Sequence, residues 1–174
     1  MAAVSTSRRA TAGIVFIIAG VLLALAILLP LLGMSGVPWL LALAYIAIAV
    51  AFGILGIGAV NSTLAKITLI AAAVGWLLLG IAKLGLSLPG VLLTIAALVA
   101  GVAGLIAAVV LYVGKEVRNL PAIIFIITTA LGLLYLLPAI GVNLAGLATI
   151  IAVLFAAGLI VSGVLFFQKE RRRR

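Results

Sequence analysis

The chain contains no cysteine, no histidine and only two acidic residues. Without cysteine there is no disulfide and no thiolate nucleophile. With histidine missing as well, ordinary zinc or haem ligation through these two residue types is excluded. A histidine-dependent triad is impossible, and no metal or cofactor site is expected. The two acids, Glu116 and Glu170, fall outside the apolar runs. They form neither a carboxylate pair for hydrolysis nor an intramembrane proton carrier. No phosphate-binding glycine loop follows a strand. These absences speak against an enzyme and against proton-coupled transport.

Charge of either sign is scarce. Charged residues make up 7% of the chain and apolar residues 68%, whereas a soluble domain commonly has about a quarter of its residues charged. Apolar stretches recur at about twenty residues, the length that matches a bilayer. Leu and Ala dominate, and the alternating polar positions of a barrel lumen are missing. The expected fold is an all-α integral membrane protein of six transmembrane helices.

The spans are read as Ala12 to Leu32, Pro38 to Val60, Leu64 to Leu84, Pro89 to Val113, Leu120 to Pro138 and Leu144 to Phe167. The fifth has the shortest apolar core. Residues 1–11 form a short basic arm and 168–174 a basic tail, flanking one membrane domain, 12–167. Ala24-Leu25-Ala26 imitates a signal cleavage site, but the apolar run continues and further spans follow, which fits a first transmembrane helix better. The connections are so short that consecutive helices must be antiparallel neighbours.

The net charge of +9 does not point to nucleic acid, because no folded basic face tracks a phosphate backbone. Under six spans, Arg8, Arg9, Lys66, Lys115, Arg118, Lys169, Arg171, Arg172, Arg173 and Arg174 all fall on one side. The positive-inside rule places that side, and both termini, in the cytoplasm. From Lys66 onward these residues are candidate contacts for anionic lipid or an acidic partner. Glu116 and Glu170 are expected to pair with the basic residues beside them. Lys83 alone falls near the other side. It either snorkels to the outer interface or contacts a ligand or anion in an outer vestibule.

Three hairpins, 12–60, 64–113 and 120–167, share a pattern. Their outer turns read Gly33-Met34-Ser35, Gly85-Leu86-Ser87 and Gly141-Val142-Asn143, spaced by 52 and 56 residues. Glycine permits a tight turn, and Ser or Asn can cap the following helix. Asn61, Ser62 or Thr63 can cap the third helix in the same way. The helices after the turns carry Gly53, Gly104 and Gly158, each followed by Ile-Leu or Leu-Ile. Gly53, Gly101, Gly104 and Gly158 pair with small residues four positions away, as grooves for close packing within the chain or for self-association. With 19 glycines, closely packed helices are expected rather than a wide pore.

Trp39 belongs at an interface and Trp76 mid-span. Candidate cavity or substrate contacts are Tyr45, Trp76, Lys83, Thr128, Thr129 and Tyr135. The threonine hydroxyls can also bond back to the preceding helical turn.

The layout of three hairpins over Thr11 to Phe167, with Gly20 to Pro30 and Gly132 to Pro138 in the first helices of the outer pairs, resembles the acid-resistance membrane protein family of tandem-hairpin proteins. The middle hairpin departs from it, since Pro89 follows its turn. The resemblance implies an inner-membrane protein tied to stress tolerance, with no catalytic residue to carry over. From the residues themselves, the expected function is a small non-enzymatic accessory or structural subunit, or a stress-associated membrane factor. The alternative is a minimal channel or carrier for a small neutral or hydrophobic solute. Composition suggests a prokaryotic plasma membrane. The expected partners are anionic lipids together with a membrane protein or further copies of the chain.

Overall fold

Long runs of Leu, Ile, Val and Ala offer their backbone no external partners in hydrocarbon, so a helix is the local solution. The computed structural model describes residues 2–34, 38–117, 120–144 and 146–171, with side chains between 7 and 168 of those ranges. It contains α1 (Ala2–Leu31), α2 (Pro38–Gly58), α3 (Thr63–Lys83), α4 (Gly90–Val113), α5 (Leu120–Leu136) and α6 (Leu147–Arg171). A 3₁₀ turn, Leu137–Ile140, extends α5. There is no strand among the described residues. All six helices are long and apolar enough to cross a membrane, α5 with its 3₁₀ extension.

The bounds of the first and last helices differ from those expected. The basic arm is not separate from the first span, because α1 starts at Ala2. Nothing between Ala2 and Ala12 breaks a helix, and the segment is held from Arg9 onward: Ala10 and Ala12 are buried and Arg9 bonds to two loops. At the other terminus α6 starts at Leu147, three residues later than expected, and runs on to Arg171, into the basic tail.

The turns at the end of the bundle away from the termini share one device. Gly33, Gly85 and Gly141 have φ of 77°, 97° and 88°. Each follows a helical segment, and its N–H donates to the carbonyl three residues back, on Pro30, Ala82 and Pro138 respectively. A side chain pays a steric penalty in this left-handed conformation and glycine does not. The polar residue after the second turn does not play its expected part. Pro89, not Ser87, occupies the cap position of α4, without a side-chain bond. Asn143 lies four positions ahead of α6, and Ser35 lies outside the described residues.

Each helix packs against its neighbours in sequence, and α6 returns to pack against α1, so the six close into a ring. No other pair of these helices comes into backbone contact among the described residues. Glycine sets the spacing at several seams. A Cβ on Gly13 would lie 2.6 Å from the Gly163 carbonyl oxygen, and one on Gly20 would lie 2.8 Å from that of Ala156. These contacts make α1 and α6 antiparallel and bring their outer ends, the two chain termini, to the same end of the bundle. Gly75 would meet the backbone of Ala96 and Ala100 at 2.7 Å. Lipid gives little hydrophobic drive for helices to associate, so this close approach supplies the dispersion energy.

Candidate functional site

A six-helix ring has an axis, and here aromatic side chains fill it in two groups. Towards the termini, Phe16, Phe52, Phe125 and Phe166 meet with ring centroids 5.3–6.3 Å apart in the contacts they make. Towards the hairpin turns, Tyr45, Trp76, Phe155 and Tyr135 form a closed circuit. Tyr45 meets Trp76 edge-on at 5.2 Å, Trp76 stacks on Phe155 at 5.7 Å, Phe155 lies 5.5 Å from Tyr135, and Tyr135 lies 6.2 Å from Tyr45. Such geometries satisfy the ring quadrupoles as well as burying area. The Tyr45 and Tyr135 hydroxyls complete the circuit with a 2.8 Å hydrogen bond across the axis, from α2 to α5.

A void of about 10 Å³ lies between the two groups, bordered by Phe52, Trp76, Phe125 and Phe155. It exists because the helix faces beside it carry Ala100, Gly101, Gly104 and Gly132. Its volume is at the lower limit for a single water. Thr128 and Thr129 also border it, yet their hydroxyls have partners. Thr128 Oγ1 donates to the Ile124 carbonyl (2.8 Å) or shares a hydrogen bond with Ser162 Oγ at 2.9 Å, tying α5 to α6. Thr129 Oγ1 bonds back to Phe125 and Ile126.

Above the tyrosine pair, at the hairpin end, a recess of about 320 Å³ opens between α2, α3, α5, the 3₁₀ turn and α6. Its walls include Leu41, Leu79, Leu136, Pro138 and Ala148, its floor includes Tyr45 and Tyr135, and Lys83 lines it from the last turn of α3. The six candidate contacts therefore divide. Tyr45, Tyr135 and Lys83 share the recess, while Trp76, Thr128 and Thr129 line the buried void. The lining residues of the two do not overlap.

The terminal end carries a charged clasp. Glu116, in the α4–α5 loop, accepts from the backbone N–H groups of Asn61 and Ser62, both at 2.7 Å. Those amides stand at the start of α3, where unsatisfied donors and the helix dipole favour an anion. Ser62 adds its own cap, accepting from Ala65 N–H at 3.4 Å. Arg9 then reaches across from α1. Its Nε–H donates to the Ala59 carbonyl (2.7 Å) and its Nη1 to the Glu116 carbonyl (2.9 Å), with Nη2 3.9 Å from Oε2 of Glu116. Glu116 thus serves the start of another helix, while Arg118, one of its expected partners, and the side chain of Glu170 lie outside the described residues. Neither this role nor that of Arg9 follows from local pattern, because the partners stand 50 to 107 positions apart.

Lys115 is exposed and has φ 55°. It occupies the left-handed position after α4 that glycine fills in the other turns, while Gly114 lies one place too early, with φ −70°. Lys66 is half-buried in the first turn of α3. The side chains of Lys169 and Arg171, and all of Arg118, Arg172, Arg173 and Arg174, lie outside the described residues. Among the proposed packing glycines, Gly101 abuts Leu133 and Gly158 abuts Thr128. Gly104 lies at ordinary contact distance from Phe52, whereas a Cβ on Gly53 would meet nothing within 4 Å. Gly53 therefore makes no close packing contact within the chain.

No group of three or more metal-ligating acidic, histidine or cysteine residues occurs among the described residues. The arrangement offers two things chemically: a blocked axis, and a small-molecule-sized recess with one cation and two phenols. No protein-family model, curated protein or solved structure matches this chain.

Proposed function

We propose that this chain is a small non-enzymatic membrane protein, an accessory or structural subunit or a stress-associated membrane factor, rather than a conduit. One observation carries the reading: the axis of the ring is occupied by aromatic side chains contributed by α1, α2, α3, α5 and α6. A path along it would need several mutually packed rings to part together. The exterior offers a partner or lipid a broad apolar surface, with Ile14, Val50, Val74, Ile95, Ile127 and Leu154 all exposed. The residence we propose is a prokaryotic plasma membrane with both termini cytoplasmic. In that orientation Arg8, Arg9, Lys66 and Lys115 lie on the cytoplasmic side, where Lys66 and Lys115 meet anionic headgroups, and Lys83 alone of the described cations faces outward.

The test is isolation from the native membrane in mild detergent, with mass and composition measured. A stoichiometric complex with other polypeptides is the expected result. A species of this chain alone overturns the accessory reading. Glycerol entry into liposomes containing that species, faster than into empty ones, would establish the alternative of a carrier for small neutral solutes. The chain lacks cysteine, so orientation can be read from single cysteines at positions 83 and 115. Labelling of position 83 by an impermeant thiol reagent from outside intact cells, and of 115 only after lysis, is expected.

A further inference from the structure

We propose that the recess at the hairpin end is a binding site for a small amphiphilic anion, a single acidic head on a short apolar body. The site is independent of whether the chain is an accessory subunit or a carrier. Its volume of about 320 Å³ lies within the range of small-molecule pockets. Its composition is that of such pockets too, with Leu41, Leu79, Leu136 and Pro138 as apolar wall and very few polar groups.

The polar groups present select the sign of the ligand. Lys83 has no hydrogen bond or ion pair among the described residues. Neither carboxylate of the sequence can supply one, since Glu116 is bound at the opposite end of the bundle and Glu170 lies in the last turn of α6, at that same end. The ammonium is therefore available to an anion from outside the chain. The tyrosine pair adds a donor. Two hydroxyls carry two protons, their mutual bond uses one, and the other remains to be given to a ligand. A head group that only accepts, a carboxylate or an acidic phosphate, matches an ammonium and a spare phenolic proton. Tyr45 and Tyr135 are braced from below by Trp76 and Phe155, so the floor is set before a ligand arrives, which lowers the ordering cost of binding.

The same acidic head can belong to a free short-chain acid or to an anionic lipid. The experiment uses the full chain in discs of phosphatidylcholine, with radiolabelled hexanoate and hexanamide as probes. Saturable binding of hexanoate, at least ten-fold tighter than that of its neutral amide, is expected. Lys83→Met should abolish that preference while Lys83→Arg retains it, with both variants unfolding like the parent. Tyr135→Phe should weaken hexanoate several-fold. Equal binding of the two probes, no saturable hexanoate binding, or a preference that survives Lys83→Met would overturn the proposal. Displacement of hexanoate by added phosphatidylglycerol would assign the site to a lipid headgroup, and persistence of binding would assign it to a free acid. Isolation of the chain with or without partner polypeptides bears only on the accessory reading.

Discussion

The two ends of the bundle solve the same problem, how to turn the chain between antiparallel helices, by different chemistry. At the hairpin end three turns each place a glycine at positive φ after a helical segment, and the device lies wholly within a few residues. At the terminal end the α2–α3 and α4–α5 loops are bound to each other through Glu116 and to α1 through Arg9. The first end is set by local conformation and leaves a recess open between helices. The second is set by long-range polar bonds and fastens three parts of the chain together. Where the loops are pinned the protein has a structural end, and where only their backbones are fixed it has room for a ligand.

Mutation can break that contrast. The largest effect is expected at the clasp. Glu116→Ala leaves two helix-start amides without their acceptor and should cost about 2 kcal/mol, read as a shift in an SDS unfolding titration in mixed micelles. Glu116→Gln, which keeps one acceptor oxygen, should lose about half as much. Equal losses would mean that charge outweighs hydrogen bonding there.

At the hairpin end Gly85→Ala should cost about 1 kcal/mol, because a Cβ strains the left-handed backbone. Space is not the issue, since a Cβ at Gly33, Gly85 or Gly141 would meet nothing within 4 Å. The same substitution at Gly33 and Gly141 should give matching losses. Unequal losses in the same titration would show that the three turns are not equivalent. Tyr135→Phe, which removes the hydroxyl bridge across the axis, should cost a further small amount, about 1 kcal/mol or less, and should alter the fluorescence of Trp76 beneath Tyr45.

Lys115→Gly sharpens the comparison in the other direction. It gives the α4 turn the residue its φ of 55° favours and should stabilise the protein by roughly 0.5–1 kcal/mol, seen as a later unfolding midpoint. The smallest effect is expected at Lys83. Lys83→Met on an exposed position should change stability by no more than about 0.5 kcal/mol, in contrast to its expected effect on anion binding.

Much of this architecture was legible in the sequence for a physical reason. A span is a local property, since twenty apolar residues without a breaker have one conformation open to them in lipid. The turn glycines were legible because a positive φ has a residue-type signature. The start of α1 was misread because polarity, not helix propensity, set the boundary, and the segment from Arg9 onward is held by contacts that its own residues do not announce. That Gly53 has no close neighbour within the chain was not legible, because small-residue spacing marks a groove on a helix without saying whether a neighbour fills it. The candidate site was half legible. Tyr45, Tyr135 and Lys83 drew attention as polar groups in apolar surroundings, but their division from Trp76, Thr128 and Thr129 depends on depth along six helices at once.

What the sequence alone determined is the number of membrane-length helices, their antiparallel succession and the sharp turns at Gly33, Gly85 and Gly141, because each follows from hydropathy or backbone sterics over a few residues. The tertiary structure decided that α6 closes on α1, that eight aromatic rings fill the axis in two groups, that Glu116 caps α3, and that Lys83 stands over a tyrosine pair. Those outcomes depend on which helix faces meet. In lipid that choice rests on close packing between small and large side chains, a property of pairs of surfaces that no single segment carries.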